Sequence, residues 1–127
     1  MSNFITVTGN LTREPELKFM ASGNAMARMS VAVTRKVKET EQTSFFDVIA
    51  WGKLAENVSA SVGKGSRVTV SGRLEQRSWE DKDGNNRSTV EIIADEIAAS
   101  MRFNSVTQER APYTPAKAHY GPDEDVF

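Results

Sequence analysis

The sequence predicts an all-β fold with one short helix and an unstructured C-terminal tail. Three observations predict it. Apolar and polar residues alternate over several stretches, the period of a half-buried strand. The period lengthens to about four only once, between residues 54 and 62. After Phe103 no apolar period survives.

The elements follow in order. Phe4 to Leu11 reads as a strand, with Ile5, Val7, Gly9 and Leu11 facing in and Thr6 and Thr8 facing out. Gly9 within it suggests a bulge or bend. "TREPE" interrupts the pattern at Pro15, and "LKFMASGNAMA" reads as a hairpin turning at "SGN". Met26 to Arg35 alternates cleanly, Ala27, Met29, Val31 and Val33 against Met26, Arg28, Ser30, Ala32 and Thr34. "KVKETEQ" reads as a charged loop, and Thr43 to Trp51 as the third strand. In "KLAENVSASVGKGS", Leu54, Val58 and Val62 recur at helical spacing with Ala55 beside them, and Gly63 and Gly65 stop the helix. From Arg67 the period is again two. Val68, Val70, Gly72 and Leu74 share one face, and Arg73, Arg77 and Trp79 the other. Asp83-Gly84 signals a hairpin turn. The last strand, "RSTVEIIADEI", is expected to turn Val90, Ile92 and Ala94 inward.

Three strands, a helix and two strands is the element order of an OB-fold, a five-stranded barrel with its helix between strands three and four. Such barrels bind oligonucleotides or oligosaccharides on a strand face. Residues 1–103 form this domain. Residues 104–127, with three of the four prolines, form the tail, which lacks the apolar content to offset chain entropy.

Composition narrows the function. The chain has 127 residues, no cysteine and a formal net charge of −1. The tail holds four acids and two bases, leaving 14 bases and 13 acids in residues 1–103. A body this close to neutral binds polyanions only if its bases share a face. The absence of cysteine removes thiolate metal sites and disulfides. The only histidine, His119, lies in the tail, and "GKGS" at 63–66 lacks the spacing of a phosphate loop and follows a helix instead of opening one. These features argue against an enzyme, and no metal or other cofactor is implied. No signal peptide or membrane-length apolar run is read, so a cytoplasmic location is expected.

The aromatics are the informative residues. Strand parity puts Phe45, Asp47, Ile49 and Trp51 on one face, with Phe46, Val48 and Ala50 on the other. Only one face can be core. Exposed rings beside guanidinium groups suit a single-strand binder, because bases stack on rings and cations neutralise phosphates. Parity alone serves equally well for rings that plug a barrel end or a subunit contact. Trp79 favours stacking more, because it lies where a strand runs into a polar hairpin. Candidate phosphate ligands are Arg73, Arg77 and Arg87 around Trp79, Lys53 after Trp51, Arg35 and Lys36 at the charged loop, and Lys64 after the helix.

"GNLTREPEL", "WGKLAE" and "GRLEQRSWEDKDG", in this order between about Phe4 and Phe103, resemble the bacterial single-stranded DNA-binding protein family. The resemblance implies an OB-fold that assembles as a homotetramer. It implies sequence-independent binding of single-stranded DNA in replication, recombination and repair, and association with the nucleoid when DNA is bound. It puts the stacking aromatics at Phe45, Trp51 and Trp79, with Lys53 and Arg77 as flanking cations. It also implies an acidic tip, here Asp123, Glu124, Asp125, Val126 and Phe127, that recruits replication and repair proteins. The chain departs from the family pattern in several places. Val37 stands where an aromatic is common, Asp47 where some members carry a base, and the tip ends Val-Phe without a proline. The linker is short, which suggests a paralogue or a mobile-element version. A protein-binding adaptor and an oligosaccharide binder are the competing readings.

Overall fold

The computed structural model describes residues 3–110. The acidic tip and His119 lie outside these residues. Six strands and one helix run in the order β1 (Ile5–Leu11), β2 (Glu16–Phe19), β3 (Ala25–Val37), β4 (Thr40–Trp51), α1 (Gly52–Ser61), β5 (Arg67–Glu80) and β6 (Asn86–Ala99). The sheet order is β1-β5-β6-β4-β3-β2, and a further pairing of β1 with β3 closes a ring of five strands. The sixth, β2, is the short arm of the "LKFMASGN" hairpin and pairs only with β3, from Glu16 opposite Arg28 to Phe19 opposite Ala25. The barrel is therefore the expected OB-fold, with its helix after the third strand of the ring. Closure needs one parallel pairing, β4 with β6, where Val48 lies opposite Ile92.

The interior is built by alternation. Leu11, Ala27, Met29, Val31, Val48, Ala50, Val68, Val70 and Ile92 are almost wholly enclosed. Ala55 and Val58 of α1 join this cluster, with Leu54, Val62 and Phe46 packed against it. Small residues of this cluster include Ala25 and Ala27 on β3, Ala50 on β4 and Ala55 on α1.

Gly9 is explained by crowding, in place of the expected bulge. A Cβ at Gly9 would run into the carbonyl of Ala32, where β1 crosses β3 to close the barrel. The register shift lies elsewhere, between Ser71 and Gly72, where β6 carries an extra residue. Gly72 is needed there for the same reason, since a Cβ would meet the carbonyl of Ile93.

Two expectations are corrected. "KVKETEQ" is mostly strand. β3 and β4 stay paired out to Val37 opposite Thr40, turning over Lys38 and Glu39 with Lys38 at φ 58°. The ribbon is held by ladder bonds and cross-strand pairs such as the Thr34 and Thr43 hydroxyls at 3.0 Å. Both its sides are wet, so it carries no apolar alternation to read. Val90 is also not core. It is 55% exposed because the β5–β6 hairpin has by then left the barrel, while Glu91, Ile92, Ile93 and Ala94 are all buried.

Candidate nucleic-acid interface

Directly paired residues in a sheet point to the same side. The registers therefore define one outer face across four strands. β5 contributes Arg73, Glu75, Arg77 and Trp79, opposite Ile93, Glu91, Thr89 and Arg87 of β6. From there β6 connects to β4, with Glu91 opposite Asp47 and Ile93 opposite Ile49. β4 in turn sets Trp51, Ile49, Asp47 and Phe45 against Met26, Arg28, Ser30 and Ala32 of β3. Phe45, Trp51 and Trp79 thus lie on one continuous surface although 34 positions separate the first from the last in sequence. They are 67%, 45% and 41% exposed.

The floor between the rings is not flat. Ile49 is only 3% exposed although it shares the outward parity of Phe45 and Trp51. It lies under a cleft of about 230 Å³ lined by Arg28, Trp51, Arg77, Glu91 and Ile93. An open groove of about 600 Å³ continues along the β5–β6 hairpin past Ser78, Trp79, Arg87 and Ser88.

Electrostatics organise the cleft around one buried carboxylate. Arg28 donates from Nη1 to Glu91 Oε2 at 3.0 Å, and Arg77 Nε lies 3.5 Å from Oε1. Glu91 is 7% exposed in its side chain, whereas Arg28 and Arg77 keep 35% and 51%. A buried carboxylate persists only with such partners. The guanidinium of Arg77 also lies over Trp79, 4.7 Å from the ring centroid, within cation–π range. One indole face is steadied by Arg77 while much of the ring stays open. On the same surface Arg73 pairs with Glu75 at 3.2 Å.

At the hairpin tip Arg87 Nε donates to Asp81 Oδ2 at 2.9 Å, and Asp81 Oδ1 accepts the backbone N–H groups of Asp83 and Asn85. The Arg87 hydrogen bond, followed by the backbone N–H of Asn85, holds the Asp81 carboxyl below its ordinary 3.8.

The remaining candidates divide. Lys36 lies opposite Glu41 with the parity of Ala32 and Thr34, on the Phe45 side of the ribbon, whereas Arg35, opposite Gln42, points to the other side. Lys53 is exposed on the first turn of α1, two residues past Trp51. Lys64 is exposed in the loop before β5, which Gly65 ties back to Leu11 of β1 by a 2.8 Å backbone bond. Sequence reasoning missed Arg28 and Glu91. The alternating pattern put Arg28 opposite the core-facing residues of its strand, but only the β3–β4 register shows that it stands beside Ile49.

Comparison with known proteins identifies the relatives of this chain. The profile of the single-strand binding protein family matches residues 2–100. A single-stranded DNA-binding protein of Paenarthrobacter nicotinovorans is 42% identical over 113 residues, covering 84% of this chain and 66% of the relative. That of Corynebacterium glutamicum is 42% identical over 115 residues, covering 85% of this chain and 51% of the relative. That of Mycobacterium bovis is 40% identical over 114 residues, 84% and 70% respectively. The chain therefore spans about two thirds or less of the first two relatives' length. On this extent of matching, the chain belongs to the single-strand binding protein family.

Proposed function

We propose that this chain binds single-stranded DNA without regard to base sequence and sheathes it during replication, recombination and repair. The observation that carries the reading is the continuous outer face holding Phe45, Trp51 and Trp79 in the open, with guanidinium groups between them. Bases stack on the three rings. Arg73, Arg77 and Arg87, joined by Lys36, Lys53 and Lys64, take the phosphates, and Arg35 contributes from the back of the ribbon. Arg28 is added to this set. Each stacked base contributes about 1–3 kcal/mol, and every base has a face to stack, so discrimination is weak.

The carboxylates set the terms of binding. Glu75, Asp81 and Glu91 hold four arginines in place by ion pairs. An arriving phosphate shares or displaces these partners, which favours a strand that touches many cations at once over one that touches few. Family membership supports the single-strand substrate and a binding role without catalysis. The homotetramer, the recruitment of replication and repair proteins by Asp123, Glu124, Asp125, Val126 and Phe127, and a cytoplasmic, nucleoid-associated location belong to the same proposal. No helix among the described residues is long and apolar enough to cross a membrane.

The same carboxylates favour a second reading, an adaptor whose outer face meets protein. Fluorescence anisotropy of labelled pyrimidine and mixed-sequence strands separates the two. The sheath predicts similar affinities for both sequences, falling as salt rises, and a loss of about 1–3 kcal/mol for each of Trp51→Ala and Trp79→Ala. Unchanged binding in both variants would refute the stacking assignment. Weak binding by the wild type beside a tight protein complex would favour the adaptor.

A further inference from the structure

The cleft over Ile49 differs in chemistry from the rest of the outer face. Its floor is apolar, with Ile49 at 3% and Ile93 at 9% exposure, and Trp51 stands at its side. Its charges are balanced. Arg28 and Arg77 line it together with Glu75 and Glu91, and the exposed Asp47 lies opposite Glu91 in the β4–β6 register. A phosphate placed here meets at least as many acids as bases, so its charge gains little. A neutral ring with a polar edge meets no such opposition. The cleft, about 230 Å³, has room for a single base.

The polar groups of the cleft stand in a fixed order. Arg28 Nη1 donates to Glu91 Oε2 at 3.0 Å and Arg77 Nε lies 3.5 Å from Oε1, so the carboxylate sits between the two guanidinium groups. A guanidinium has more N–H donors than one such contact uses, and each carboxylate oxygen has a second lone pair. Donors therefore remain on both sides and an acceptor in the middle. With its side chain 7% exposed and both oxygens engaged, Glu91 is held in place. The order donor, acceptor, donor complements an imide, the edge of thymine and uracil, in which O4 accepts, N3–H donates and O2 accepts. Cytosine and adenine would set an amino group against a guanidinium and a ring nitrogen against the carboxylate. Guanine would leave its amino group facing a guanidinium. Such mismatches leave desolvated groups unpaired, which costs binding.

We propose that this cleft is a subsite that reads an imide base, thymine or uracil, at one position of the bound strand. Arg28 and Arg77 donate to its two carbonyl oxygens, Glu91 accepts its N3–H, and Ile49 and Ile93 underlie the ring. Arg28, Arg77 and Glu91 are then specificity-determining residues, and the N–H groups they leave unused still serve phosphates. The inference rests on single-strand binding as proposed above and refines it. A mixed sequence offers a thymine in some register, so natural strands bind alike. Strands with no imide base lose the contact.

Two homopolymer strands of about 8 nucleotides, a length one OB-fold can span, test it by tryptophan quenching. One is oligothymidylate and the other oligo-5-methyldeoxycytidylate, at mildly alkaline pH where cytosine is unprotonated. They share ring, methyl group and backbone and differ in the 4-substituent and the N3 proton, and a homopolymer presents the same base in every register. Wild type is expected to bind the thymidylate about fivefold or more tightly. Arg28→Met removes one donor and brings the two affinities to within about twofold of each other. An N3-methylthymidine strand, which cannot donate to Glu91, binds wild type no better than the 5-methylcytidylate does. That last measurement needs no substitution, so it stands even if Arg28→Met does not fold. Equal affinity of wild type for the first two strands would overturn the subsite. So would an undiminished preference in folded Arg28→Met, which would assign it to stacking elsewhere, or an N3-methylthymidine strand that binds like thymidylate. If wild type binds none of the strands, single-strand binding itself fails, a result distinct from loss of the preference alone.

Discussion

Phe45 and Phe46 are neighbours on β4 and opposite in every other respect. Phe46 is packed against the barrel core with Val48 and Ala50, and Phe45 leaves 67% of its surface in solvent. The inner side of the strand is explained by burial alone. The outer side is not, because large exposed rings set at intervals along a face contribute little to folding. Ile49 shows that the outer side can bury a residue where neighbours crowd it, so the openness of Phe45, Trp51 and Trp79 is a property of those positions. Stability and binding should therefore separate by face.

The largest expected effect comes from the inner side. Phe46→Ala should cost about 2–4 kcal/mol in denaturant unfolding, somewhat less than a fully enclosed phenylalanine. Its folded fraction should bind strands like wild type. Phe45→Ala should do the reverse, with unfolding nearly unchanged and about 1–3 kcal/mol of strand binding lost. If the two variants lose stability alike, the division between faces is wrong.

Glu91 joins the two sides, since it is buried yet holds surface cations. Glu91→Gln weakens charge-assisted bonds worth about 1.5–3 kcal/mol each, moderated here by the partial exposure of Arg28 and Arg77. Unfolding should become easier. Meanwhile the freed guanidinium groups should steepen the salt dependence of strand binding, by up to about two in slope. A shallower slope would mean that Glu91 is needed to aim them.

A smaller effect divides the ribbon. Lys36→Ala should lower the salt slope by about one and Arg35→Ala by less, because only Lys36 shares the Phe45 side. Equal changes would show that both sides of the ribbon meet the strand.

The smallest effect is at the hairpin tip. Asp81 has a folded pKa below 3.8, so its contribution to the turn is complete above that value and is lost as pH falls through the lowered one. Carboxyl resonances followed by NMR should show Asp81 titrating below 3.8. Asp81→Ala should speed amide exchange at Asp83 and Asn85 without moving the barrel amides.

Much of this was legible in the residues. Alternation is a strong signal where one face is core, which is why β1, the inner halves of β3 and β4, and the start of β5 read correctly. The helix read correctly because its period differs. The signal fails where both faces are wet, as in Arg35–Gln42, or both are covered, as in Glu91–Ala94. The parallel pairing of β4 with β6 joins residues more than 40 positions apart, and no local pattern encodes it. Without that pairing Ile49, Glu91 and Arg77 could not be placed in one cleft, and Arg28 gave no sign of belonging to it. The three rings were found by parity and resemblance. That they share a surface follows from the registers.

The most direct measurement is a titration of intrinsic tryptophan fluorescence with a poly-pyrimidine single strand and with an equal mass of duplex, at low and high salt. Both tryptophans, Trp51 and Trp79, stand on the outer face, so binding there reports on itself. The account predicts strong quenching by the single strand, little by the duplex, and weaker binding at high salt. A folded protein whose fluorescence is unmoved by the single strand would contradict it.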